Sequence, residues 1–178
     1  GSALAYPLIK EIYKECLLSG AYPSIMPSLE VQYVFYRYAK EHQLKFVSPF
    51  EKFIVENADA LIGVWCRPNL KQLTNIDPAR IRMHQASRKK LMDTFFERSG
   101  EGKLKWVDLL YPIDAQAQEA GMSIEEYEDF VYSSCFADKE DPIAEWKKAH
   151  EEQQKICNFL NQTEQIHIIS EDTDLTLR

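Results

Sequence analysis

An α/β fold with a mostly parallel sheet and helices on both faces is the architecture this sequence predicts. Three observations predict it. Short apolar runs alternate with amphipathic segments long enough to cross over a sheet. The run Ala60-Leu61-Ile62-Gly63-Val64-Trp65 is apolar throughout, as a strand covered on both faces would be. Helix starts are spelled out at Asp77-Pro78, at Ser123 with Glu126 three residues on, and at Asp141-Pro142.

Residues 6–19 read as the first helix. Ile9, Ile12, Tyr13, Cys16 and Leu17 fall on one stripe, and Gly20 stops it. Residues 22–26 are a short strand candidate between Pro23 and Pro27. Residues 29–40 predict a second helix with Val31, Val34, Phe35 and Tyr38 inward, and 49–57 a third with Phe50, Phe53 and Ile54 apolar. The apolar run of residues 60–65 is the next strand. Asp77 caps a helix with Pro78 in its first turn, expected to reach about Arg98 and to end at Ser99-Gly100. Residues 104–107, with Trp106, follow as a strand.

Gly121 breaks the next segment. Ser123 and Glu126 then form a capping box for a helix whose apolar face is Ile124, Tyr127, Phe130 and Val131. The Asp141 helix carries Trp146, Ala149, Ile156, Phe159 and Leu160. Residues 166–169 are a strand, and 174–177 one more. The chain opens on a helix leading toward a strand, where a βαβ unit would set an earlier strand. The expectation is therefore a sheet without its first strand and a chain cut near both ends. Gly1-Ser2 reads equally as a cloning remnant or as native sequence.

A chain of 178 residues suits one domain. Its 45% hydrophobic content supports a real core and argues against disorder. A net charge of −7 disfavours nucleic acid and anionic membranes as partners. The longest apolar run, near residues 60–66, is far too short to span a bilayer. No signal peptide is visible, since the first residues lead straight into an amphipathic helix. Cys16, Cys66, Cys135 and Cys157 are widely spaced in apolar patterns and read as reduced core residues of a cytoplasmic protein.

Chemistry is sparse. His150-Glu151-Glu152-Gln153-Gln154 starts like the zinc-protease helix motif but has Gln154 where the second histidine belongs, so it reads as a solvated face. His42 and His84 lie in charged helix surroundings, and His167 reads as a structural or edge histidine in a strand. No Cys–His spacing matches a zinc site. Glu171, Asp172 and Asp174 follow a strand and form either a cation site or a solvated turn; the lack of glycine and of calcium-loop spacing favours the turn. Ser133-Ser134-Cys135 sits inside a helix pattern, not on a nucleophile elbow. Glycine-rich phosphate loops are absent. Arg80, Arg82, Arg88, Lys89 and Lys90 read as an exposed, salt-laced face, with an anionic partner as the alternative. The sequence thus offers no catalytic, cofactor-binding or metal-ligating residue.

The wording of several segments nonetheless resembles one family. Residues 117–131, beginning Ala117-Gln118-Glu119-Ala120-Gly121-Met122-Ser123, are similar to a block in the metalloaminopeptidases typified by aminopeptidase T, aminopeptidase S and aminopeptidase II. So are Tyr6-Pro7-Leu8-Ile9, Gly20-Ala21-Tyr22-Pro23, Glu56-Asn57-Ala58-Asp59-Ala60-Leu61-Ile62, Asn75-Ile76-Asp77-Pro78, Leu104-Lys105-Trp106-Val107, Pro142-Ile143-Ala144-Glu145-Trp146 and Thr173-Asp174-Leu175. The order and spacing fit from near residue 6 to residue 178.

The resemblance implies a cytoplasmic enzyme that removes N-terminal residues from short peptides with two divalent metal ions, zinc or cobalt, and that forms a homodimer. It implies that residues 1–170 are the non-catalytic N-terminal α/β domain and 171–178 the start of a link to a C-terminal domain. That second domain would carry the Glu, His, Tyr and Asp ligands, so no ligand position is carried onto this chain, and the chain alone is expected to be inactive. Two other readings stay open. One is a stand-alone α/β binding or scaffolding domain; the other, weaker, is a nucleotide-binding α/β enzyme.

Overall fold

The computed structural model describes residues 3–178; Gly1 and Ser2, including their reading as native or remnant, lie outside the described residues. The fold is α/β, with helix predominating. The chain forms two compact units, one running through Tyr127 and the other from Glu128 to Arg178.

In the first unit a 3-10 turn, Ala3–Ala5, leads into α1, Tyr6–Leu18. Gly20 terminates that helix with φ +79°, a left-handed conformation in which an L side chain would be strained. Residues 21–29 hold no regular element, so the expected strand at 22–26 is absent, and Tyr22 is fully exposed. Helix α2 is Gln32–Tyr38, shorter than expected at both ends. Its buried residue is Tyr36, with Phe35 packed beside it, whereas Val31, Val34 and Tyr38 are exposed. A one-turn helix the sequence reading passed over, α3, spans Glu41–Leu44. Helix α4 is Pro49–Asn57, as expected, and Ser48 caps it; Phe50 and Phe53 face solvent.

Strand β1, Ala60–Trp65, pairs parallel with β2, Lys105–Leu110, with Gly63 opposite Asp108. The crossover between them is helical. Asp77 Oδ1 accepts from the Ala79 N–H at 2.8 Å and starts α5, Pro78–Ser87. The single long helix expected here is two: the chain turns at Arg88 and resumes as α6, Lys89–Gly100. Arg88 stays in the right-handed region, and its guanidinium reaches Glu51 on α4 at 2.6 Å.

Tyr36, Leu44 and Ile76 form a buried cluster with Phe35, Ala39, Leu73, Ile81 and Met83 around it, so α2, α3 and α5 share one core. Two arginines then lock neighbouring helix ends. Arg80 donates from Nε to the Tyr36 carbonyl at 2.6 Å and from its amino group to the Ala39 carbonyl. Arg98 donates from Nη1 to the carbonyls of Val55 at 2.6 Å and Ala58 at 3.0 Å. Each places a positive charge on the C-terminal carbonyls of α2 or α4, where orphan acceptors and the helix dipole both favour a cation. Trp106 on β2 packs on Phe95 with ring centroids 5.6 Å apart and donates to Ser99 Oγ at 3.1 Å, yet stays half-exposed.

Helix α7, Asp114–Ala120, ends where Gly121 turns left-handed at φ +69°, with Met122 N–H returning to the Ala117 carbonyl. The expected capping box is present. Glu126 N–H donates to Ser123 Oγ at 3.2 Å, and Ser123 N–H to Glu126 Oε2 at 2.9 Å. It opens α8, Ile124–Ser134.

In the second unit α8 closes on Phe136, which takes φ +61° without being glycine. Ala137 N–H donates to the Tyr132 carbonyl and Phe136 N–H to that of Ser133, the pattern of a Schellman end. The Phe136 ring meets Trp146 edge-on at 5.3 Å, and Trp146 Nε1 donates to the Cys135 carbonyl at 3.0 Å. Trp146 belongs to α9, Pro142–Leu160, which Asp141 caps through the Ala144 N–H.

Strands β3, Ile166–Ser170, and β4, Thr173–Leu177, pair antiparallel across Glu171-Asp172. The expectation of a mostly parallel sheet is corrected here. Among the described residues one pair is parallel and the other is a hairpin, because a two-residue link permits only an antiparallel return. No helix among the described residues is long and apolar enough to cross a membrane.

Candidate functional site

The segments singled out in the sequence for chemistry resolve into structure. Ser133 and Ser134 turn their hydroxyls back to the carbonyls of Phe130 and Val131, and Cys135 Sγ meets that of Tyr132, so all three are spent on their own helix end. His150 is exposed on α9. His167 Nε2 lies 2.7 Å from Asp174 Oδ1 on the neighbouring strand, an exposed cross-strand pair. Glu171 and Asp172 are the tip of the hairpin. The four cysteines are unbridged thiols. Only Cys66 is buried, and Cys157 is exposed, contrary to the reading of all four as core.

His84 departs most from its expected setting. It is not on a solvated face. Its Nδ1 lies 2.9 Å from the Tyr36 hydroxyl, and its ring stands edge-on to Phe35 and Tyr36 at 5.0 and 5.6 Å. Burial, followed by the Arg88 guanidinium, pushes the imidazole below its ordinary value, against a weaker opposing pull from Glu51. Burial likewise raises the Tyr36 phenol. The basic run is divided in function: Arg80 holds α2, Arg88 holds α4, and Lys89 pairs with Asp93 at 2.9 Å on its own helix.

One concave site in the first unit has both shape and charge. A cleft of about 270 Å³ opens at the carboxyl end of β1, where open α/β sheets place ligands. Its floor is the Gly63–Asp108 step of the ladder. Asp108 folds its carboxylate over Gly63, into the space that a Cβ on residue 63 would take. Arg67 lies over the Trp65 ring, its guanidinium carbon 4.5 Å from the centroid. Gln72 Nε2 donates to Glu30 Oε2 at 3.0 Å across the mouth. The sequence reading named none of these residues as a site. The signal that could have found them is the lone glycine inside an apolar strand, which marks a close approach.

The pattern of the whole chain can be compared with known families. The sequence model of the family described as thermophilic metalloprotease (M29) matches residues 1–178. The chain belongs to the thermophilic metalloprotease family. No curated protein matches it. Metalloproteases of this family use divalent metal ions. Among the described residues, no three His, Cys, Asp or Glu come together to hold one ion.

Proposed function

We propose that this thermophilic metalloprotease chain is the non-catalytic N-terminal α/β part of a cytoplasmic metal-dependent aminopeptidase acting on short peptides. The two metal ions, zinc or cobalt, would be held by residues other than 1–178, and the working enzyme would be a homodimer. The observation that carries the reading is the family match along all of residues 1–178. The segment resemblances from Tyr6 to Leu175 support the aminopeptidase class within that family. The contribution of this chain is architectural. Its capped, arginine-locked helices form a framework on which a reacting group can be positioned, and positioning alone generates no nucleophile.

The test is turnover of a leucine chromogenic substrate, with and without added zinc or cobalt. Residues 1–178 alone should give none. A protein carrying these residues together with the ligand-bearing half should turn over and lose activity to a chelator. Robust turnover by residues 1–178 would sink the proposal. A metal-independent longer enzyme would sink the aminopeptidase assignment.

A further inference from the structure

We infer that the cleft at the carboxyl end of β1 binds a zwitterion of the α-amino-acid class, a free amino acid or the two charged ends of a short peptide. The argument starts from charge. The cleft carries two carboxylates, Glu30 and Asp108, and one guanidinium, Arg67. Glu30 is already engaged by the Gln72 amide. Asp108 is different: it lies exposed in the cleft, folded onto Gly63, with no ion-pair or hydrogen-bond partner among the described residues. A carboxylate held in a concavity without a partner is an acceptor for an ammonium group.

Arg67 supplies the opposite end. Its guanidinium carbon lies 4.5 Å from the Trp65 ring centroid, which holds the group at the cleft, and a guanidinium fork matches a planar carboxylate in geometry. The half-exposed Trp65 ring and the Val64 side chain give the apolar wall for a ligand side chain. A phosphate ligand is disfavoured by the two carboxylates. A simple amine would leave Arg67 unused, and a simple carboxylic acid would leave Asp108 unused. Only a ligand with both charges satisfies both groups. At about 270 Å³ the cleft accommodates one or two residues.

Gly63 must lack a side chain for Asp108 to occupy its position, and the ladder sets Gly63 directly opposite Asp108. Binding to this cleft does not depend on the aminopeptidase reading.

The experiment is calorimetry on residues 1–178 with L-leucine, N-acetyl-L-leucine and L-leucinamide, with the Trp65 indole resonance followed in parallel by NMR. L-leucine should bind with a Kd in the range of about 0.1–10 mM, as expected for a small, partly open site. Capping either charge should weaken binding by about tenfold. Asp108→Asn should remove the discrimination against N-acetyl-L-leucine, and Arg67→Gln the discrimination against L-leucinamide, with circular dichroism confirming that both variants fold. No L-leucine binding and no Trp65 shift at about 50 mM would overturn the inference. Equal binding of the capped ligands would overturn it as well. Because the readout is binding, a negative result here leaves the turnover test of the proposed function untouched.

Discussion

Arg80→Met is the substitution that most sharply tests how this fold is held together. Arg80 makes two charge-assisted hydrogen bonds to carbonyls at the end of α2, one of them to that of Tyr36, a residue 8% exposed. Hydrogen bonds to charged groups contribute about 1.5–3 kcal/mol each, with the low end appropriate for a half-buried donor. Two such bonds at the low end sum to about 3 kcal/mol, an upper value because water can partly replace the bond at Ala39 while it reaches the Tyr36 carbonyl poorly. Met keeps the aliphatic stem and its packing, so the change isolates the guanidinium.

The chain has two units, and a single global unfolding energy would blur the effect; hydrogen exchange of the α2 amides reads it locally. Protection there should fall about 100-fold, the equivalent of about 3 kcal/mol. Arg80→Lys should recover about half, since an ammonium can hold one carbonyl but not both in the same fork. Arg82→Met, on the exposed side of the same helix, should change protection by less than about twofold. If Arg80→Met proves as mild as Arg82→Met, the arginine is a decorated surface after all and the account of α2 fails.

The other predictions concern single elements. Ser123→Ala should lower stability by about 1 kcal/mol and fray the first turn of α8, which exchange at its early amides would show. Trp106→Ala should cost about 3 kcal/mol, from roughly half of its 250 Å² at about 25 cal/mol per Å². That is the low end of what a fully buried Trp would give, and chemical denaturation should rank it above Ser123→Ala. At Phe136, φ +61° costs a non-glycine residue about 1–2 kcal/mol, while the ring contact with Trp146 returns about 0.5–1.5 kcal/mol. Phe136→Gly should therefore be less destabilising than Phe136→Ala, which keeps the strain and loses the contact; the reverse order in urea titrations would refute the Schellman assignment.

His84 sets a pH dependence. Its folded value is depressed, so the unfolded chain binds the proton first as pH falls. Its contribution to stability is complete above the unfolded value of about 6.5 and is lost as pH drops through the folded value below it. Wild type minus His84→Gln, compared at pH 7.5 and pH 5 by exchange at α2 and α5, should show that loss, and a flat difference would contradict it.

What the sequence made legible was local. Asp77, Ser123 and Asp141 each satisfy backbone donors within three residues of themselves, so their helices could be placed without knowledge of the rest of the chain. Gly20 and Gly121 mark helix ends for the same reason. The strand expected at 22–26 failed because a strand needs a partner, and no local pattern provides one. The inward face of α2 was misjudged because the apolar count favoured Val31 and Val34. Burial instead followed Tyr36, whose hydroxyl meets His84, a residue 48 positions away. Arg80 looked like solvated charge because its acceptors lie 41 and 44 residues distant. The hairpin was missed although its signal was present: a two-residue polar link between two apolar runs permits little else.

The same distinction explains why the cleft was invisible as a motif and yet follows from the fold. None of its residues has chemistry by itself. Asp108 becomes an acceptor only because the parallel register sets it against Gly63, and that register is fixed by the crossover through α5 and α6. Glu30 reaches the mouth only because α2 is docked behind it. That docking depends on Tyr36, Ile76 and the Arg80 clamp, while Gln72, which holds Glu30, stands beside Leu73 of the same core. The helix-locking arginines and the binding groups are thus parts of one framework. In such an arrangement the residues that fix geometry lie far in sequence from those that meet a ligand, and a scan for contiguous motifs finds neither.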